Sequence, residues 1–176
     1  MLTTIAKDHH NEATELRGLF EIQLKQLYWA EDAIVKLLTG IISQVYSNDL
    51  VKLLNNHVNQ TIGHTGRLDN IFTAIGLPAE AAPYDALKCL IKEAEALIQG
   101  TNRGVVRDAG IIAVLQKIKH YEIACYGTMR AYALALREED VVVFLEQTLE
   151  EEKGIDLLLT NVAEQHINIE AADKEI

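Results

Sequence analysis

Four long stretches of this chain repeat apolar residues at three- and four-residue steps, the spacing that lines one face of an α-helix. Over residues 11–46 the stripe is Leu16, Leu19, Phe20, Leu27, Ile34, Leu38, Ile41 and Val45, with Gln23 the one polar residue in line between Phe20 and Leu27. A second stripe passes through Leu50, Leu53, Leu54, Leu68, Ile71, Phe72 and Ile75, after Ser47-Asn48-Asp49 offers capping side chains. A third spans 105–136, and a fourth follows the polar turn 137–140 and runs to about His166. Apolar faces of this period are not those of a sheet, so the expected class is all-α.

The short turn after the first stripe implies an antiparallel pair. Gly76, Pro78 and Pro83 interrupt the pattern, residues 84–99 read as a short helix, and 100–104 break it again. Two helical hairpins joined by a long connection with its own helix give the layout of a ferritin-like antiparallel four-helix bundle with a short fifth helix in the crossover. The expected organisation is a flexible segment over 1–12, one bundle over 13–166 and a tail over 167–176. A net charge of −10 with no basic stripe repels a phosphate backbone, which argues against nucleic acid and a DNA-protecting role. No apolar run is long enough to cross a membrane and no leader pattern opens the chain, so a soluble cytoplasmic protein is expected. Cys89 and Cys125, without CxxC spacing, read as two buried apolar residues.

Polar residues that fall on the stripes carry the functional signal, because a buried charge is costly unless paired or metal-bound. Glu31 sits on the first stripe. His57, Thr61 and His64 lie on the second with Gln60 at its edge, Glu122 on the third, and Glu152 with Asp156 on the fourth. One Glu from each of two helices, with a Glu and a His from each of the other two, is how such bundles hold two iron or manganese ions. The candidate ligands are therefore Glu31, His57, Glu122, Glu152 and Asp156, with His64 as an extra. Gln60 departs from that template, since a neutral amide cannot bridge two cations. Lys119, beside Glu122, supplies a rival account in which an internal salt bridge replaces the metal. Tyr28 and Tyr126 can pack or donate hydrogen bonds to the carboxylates. Of Glu150-Glu151-Glu152, helical geometry leaves two as ordinary solvated residues, and His9-His10 reads as adventitious. Gly63, Gly127 and Gly154 fit either close backbone approach or tolerated surface positions.

The words LYWAED, HVNQTIGHTGRLDNIF, LIKEAEALI, VRDAGIIAVLQKIKHYEIACYGTM and TLEEEKGIDLLLT resemble, in order and spacing, the YciF-like family of ferritin-like proteins. The resemblance implies a bundle, usually a homodimer, with a di-metal centre, linked to bacterial stress responses and without an assigned reaction. It matches the family's polar pattern at Glu31, His57, His64, Glu93, His120, Glu122, Glu152 and Asp156. The family pattern has HLEET where this chain has HVNQT, and VEHYE where it has IKHYE, so carboxylates are replaced at Asn59, Gln60 and Lys119. That loss of negative charge weakens the case for a divalent pair. Two functions follow as expectations: a metal-binding bundle handling iron or a reduced oxygen species, or a metal-free structural module with a Lys119–carboxylate cluster. Nothing in the sequence specifies a substrate pocket.

Overall fold

The computed structural model describes residues 14–173, and every regular element among them is helical. The elements are α1 (Leu16–Ile42), α2 (Asn48–Ala74), α3 (Asp85–Gly100), α4 (Val105–Ala135) and α5 (Glu139–Val162), followed by one π-helical turn (Ala163–Ile167) and α6 (Asn168–Asp173). The expected flexible segment 1–12 and the His9-His10 pair lie outside the described residues. At the other end, 168–173 are helical where the sequence reading leaves a tail, and Ile167 is buried.

The starts and stops follow local chemistry. Ser47 caps α2, its hydroxyl accepting from the Leu50 amide at 3.4 Å, so one of the free amides of the first turn is satisfied. Gly76 ends α2 with φ 74°, a left-handed conformation that only glycine adopts without cost, and the Leu77 amide turns back to the Phe72 carbonyl at 3.0 Å. The crossover is fastened to α1 by the Ala82 amide on the Lys25 carbonyl at 3.0 Å and by Lys25 Nζ on Glu80 at 2.6 Å. α3 packs closely on α4 at Gly110, where an added Cβ would stand 2.7 Å from the Leu97 side chain.

Paired side chains set the helix directions. His64 with Glu151 and Arg67 with Thr148 run α2 against α5. Gln116 with Thr160 and Arg130 with Glu146 run α4 against α5. At one end, the carboxylate of Asp108, fully buried at the start of α4, accepts from the Tyr46 and Ser47 amides in the α1–α2 turn at 3.0 and 2.7 Å.

The apolar interior is divided. One cluster gathers Ile34, Leu38, Leu54, Leu115, Ile118 and Leu159, and the other gathers Phe20, Leu24, Leu68, Phe72, Met129 and Leu145. Between them in sequence, on all four long helices, lie the polar positions Glu31, His57 and His64, Lys119 and Glu122, and Glu152, all buried.

One expectation needs correction, and one open alternative is decided. Cys89 is exposed and Cys125 half-buried, so neither is the fully buried apolar residue anticipated; both thiols are free. Nothing lies within 4 Å of where a Cβ would stand on Gly63, Gly127 or Gly154, so close backbone approach is not their role. Among the described residues, no helix is long and apolar enough to cross a membrane.

Candidate metal centre

Each long helix aims polar side chains into the layer between the two apolar clusters, and in none of Glu31, His57, His64, Lys119, Glu122 and Glu152 does exposure exceed 1%. His64 is central. Its Nδ1 lies 3.5 Å from Glu31 Oε2 and 3.1 Å from Glu152 Oε1, and its Nε2 lies 2.9 Å from Glu151 Oε2. The remaining oxygens of the two buried acids are engaged elsewhere. Tyr126 donates its hydroxyl to Glu31 Oε1, and Lys119 donates to Glu152 Oε2 at 2.6 Å while also contacting Glu122 Oε2.

The electrostatics follow from burial opposed by these pairings. Burial works against a charged His64, but Glu152 and Glu31 outweigh it and raise its pKa to about 10. Burial, reinforced by the Lys119 charge, lowers His57 to about 3, so that imidazole is neutral. Lys119 is raised because Glu122 and Glu152 more than offset its desolvation. Glu152, though buried, is lowered to about 2, chiefly by Lys119 and then by His64. Glu122 goes the other way: burial and the neighbouring Glu152 charge hold it well above the usual carboxylate range, against the opposing pull of Lys119. Two cations, His64 and Lys119, thus face the three buried acids Glu31, Glu122 and Glu152.

One donor atom each from Glu31, His64 and Glu152 lies within 4.8 Å of the others, close enough to hold a single metal ion. Three buried atoms that face one another here, Glu31 Oε2, His64 Nδ1 and Glu152 Oε1, form no well-directed hydrogen bond, although their separations are those of ion pairs. Buried polar atoms left in this way are what a cation would satisfy. A pair of ions fits poorly: the Lys119 ammonium stands against both Glu122 and Glu152.

The other candidates are placed differently. His57 is buried at the same level with both ring nitrogens free of hydrogen bonds. Asp156 is partly exposed and faces Gln116 and His120, its Oδ2 3.4 Å from His120 Nε2, away from the Glu31–His64–Glu152 group. His120 itself is largely solvent-exposed, and Glu93 pairs with Lys117 on the surface between α3 and α4. Tyr126 is the tyrosine that reaches the carboxylates, whereas Tyr28 packs edge-on against Phe72 at 5.5 Å and hydrogen-bonds Asp69. Glu151 was missed. The signal was its position three residues after Thr148, facing the pair His64 and Arg67, also three apart.

The family described as "Domain of unknown function (DUF892)" matches residues 15–172. Protein YciF of Escherichia coli (strain K12) is 34% identical over 160 residues, covering 90% of this chain and 96% of that protein. The crystal structure of the E. coli stress protein YciF superposes with a TM-score of 0.85 at 32% identity, over 89% of this chain and 99% of that one. YcfI from Rhodopseudomonas palustris gives a TM-score of 0.84 at 34% identity, over 87% of this chain and 98% of that one. A protein from Xanthomonas campestris shares the fold alone, with 15% identity and a TM-score of 0.71 over 92% of this chain and the whole of that one. The all-helical architecture, the buried Glu and His positions and these matches together make the chain a member of the YciF-like, DUF892 family.

Proposed function

We propose that the chain is a stress-associated ferritin-like bundle whose interior takes up one divalent cation, iron or manganese, on Glu31, His64 and Glu152. The single observation that carries this reading is the set of three buried, mutually facing donor atoms without well-directed hydrogen bonds. Carboxylate and imidazole donors suit both metals. The ion would have to displace the proton that His64 Nδ1 carries, so uptake would release acid. Such an ion would supply Lewis-acid or redox chemistry, while Tyr126 holds Glu31 and Lys119 holds Glu152 in place. The stress association is taken from YciF, and assembly as a homodimer is proposed only from what the sequence resemblance to the family implies.

A second reading is favoured by Lys119: a metal-free bundle in which this ammonium and His64 neutralise the acids by themselves. Metal analysis of untagged protein purified without chelator, followed by calorimetric titration with Mn²⁺, separates the two. One ion per chain supports the first reading and excludes the expected pair. No ion, and no uptake, leaves the metal-free module.

A further inference from the structure

His64 is held from its outer side by a second layer of polar groups that the buried belt does not use. Glu151 Oε2 receives His64 Nε2 at 2.9 Å. Glu151 is itself gripped by both terminal nitrogens of Arg67, at 2.7 and 2.8 Å, and Arg67 Nη1 also donates to the hydroxyl of buried Thr148 at 3.2 Å. His64 and Arg67 stand one turn apart on α2, as Thr148 and Glu151 do on α5, so the contact is a two-rung ladder between the helices.

We propose that Glu151 and Arg67 are positioning residues for His64, fixing its ring so that Nδ1 faces Glu31 and Glu152. An imidazole can turn by half a rotation about its outer torsion, which would put a carbon where Nδ1 stands. That turn would also remove Nε2 from Glu151, so a rigid Glu151 selects one orientation. Two parallel Arg67 bonds supply the rigidity, because a bidentate guanidinium–carboxylate pair fixes direction as well as charge. A carboxylate on the outer nitrogen of a ligating histidine orients the ring and raises its basicity, and its loss costs about 10- to 100-fold in metal affinity. What Nδ1 would bind rests on the single-cation reading above; the orientation itself does not.

The test compares Glu151→Ala, Glu151→Gln and Arg67→Lys with the unmodified protein by two measurements. The first is the exchange of the His64 Nε2 proton with water, read by ¹⁵N-edited NMR without metal. The second is Mn²⁺ affinity. A slowly exchanging ring proton is expected in the unmodified protein. Glu151→Ala should abolish it and weaken Mn²⁺ binding by about 10- to 100-fold. Glu151→Gln should retain it, since the carboxamide oxygen still accepts. Arg67→Lys, which keeps the charge but loses the fork, should speed its exchange. Persistence of the protected proton in Glu151→Ala, or an affinity change below about threefold, would overturn the proposal. Should the unmodified protein take up no Mn²⁺, the single-cation reading fails and the ring proton alone decides the positioning role. If Glu151→Ala does not fold, the other two variants decide it by the same signals, unchanged exchange in Arg67→Lys counting against.

Discussion

Lys119 Nζ on α4 lies 2.6 Å from Glu152 Oε2 on α5, and neither side chain meets solvent. Removing one member of a buried ion pair leaves the other uncompensated, at a cost of about 3–5 kcal/mol. Lys119→Met should therefore lower stability by about that amount in urea denaturation at neutral pH. Because the same change frees Glu122 and Glu152, added Mn²⁺ should raise the melting temperature of the variant more than that of the unmodified protein. A variant as stable as its parent would remove Lys119 from its central place.

The pH profile has two limbs. His57 falls from 6.5 to about 3 on folding, so the unfolded chain binds its proton first, and the stability present above 6.5 is lost as pH drops toward 3. Glu152, lowered from 4.5 to about 2, adds a loss below 4.5. His64 has the opposite sign: raised from 6.5 to about 10, it stabilises fully below 6.5 and loses that contribution as pH rises through 10. Glu122 is also raised, so its contribution is present below 4.5, offsetting part of the acid loss, and fades at higher pH. Denaturant midpoints measured across this range should show a broad maximum between pH 4.5 and 6.5, where the His57 gain and the Glu122 loss oppose each other, and fall on either side. His57→Leu should make the acid limb shallower and move the maximum toward 4.5.

Tyr126→Phe removes the hydroxyl that donates to Glu31 and nothing else of the ring packing. A buried acceptor left without its donor costs about 1–3 kcal/mol, more when charged. The loss should appear in equilibrium unfolding, and a neutral result would show that Glu31 finds another partner.

Asp108→Ala takes away the acceptor for two amides in the α1–α2 turn. Hydrogen exchange at Tyr46 and Ser47 should accelerate well beyond that of α1 as a whole, with a stability loss of about 3 kcal/mol. Asp108→Asn, which keeps one acceptor oxygen, should restore part of the protection.

The four long helices and the crossover were legible because their apolar stripes and Gly-Pro breaks act locally. The π-helical turn at Ala163–Ile167 was not, since nothing in AEQHI distinguishes it from an ordinary helix whose end is decided by packing. At the site, the depth of Glu31, His64, Glu122 and Glu152 followed from their stripe positions. The sideways aim of their atoms did not. Asp156, one turn after Glu152, looks like its partner in sequence, yet helix rotation carries it toward Gln116 and His120. Lys119 is one residue off the stripe, and only the length of its stem brings the ammonium inward. Glu151 stayed hidden because its role depends on Arg67 across a helix pair, a relation between segments 84 residues apart.

The polar layer between the two apolar clusters also bears on how the helices align. Apolar side chains alone tolerate a slide of one helix along its neighbours by a turn, about 5.4 Å, with modest repacking. Such a slide of α1 would drive Glu31 into the neighbourhood of Leu68 and Met129, or of Leu54 and Leu115, where no cation waits for it. Each of the four helices carries at least one such group, so any shift strands a charge. The belt therefore works as a register pin, admitting one vertical alignment of the bundle whether or not an ion ever enters it.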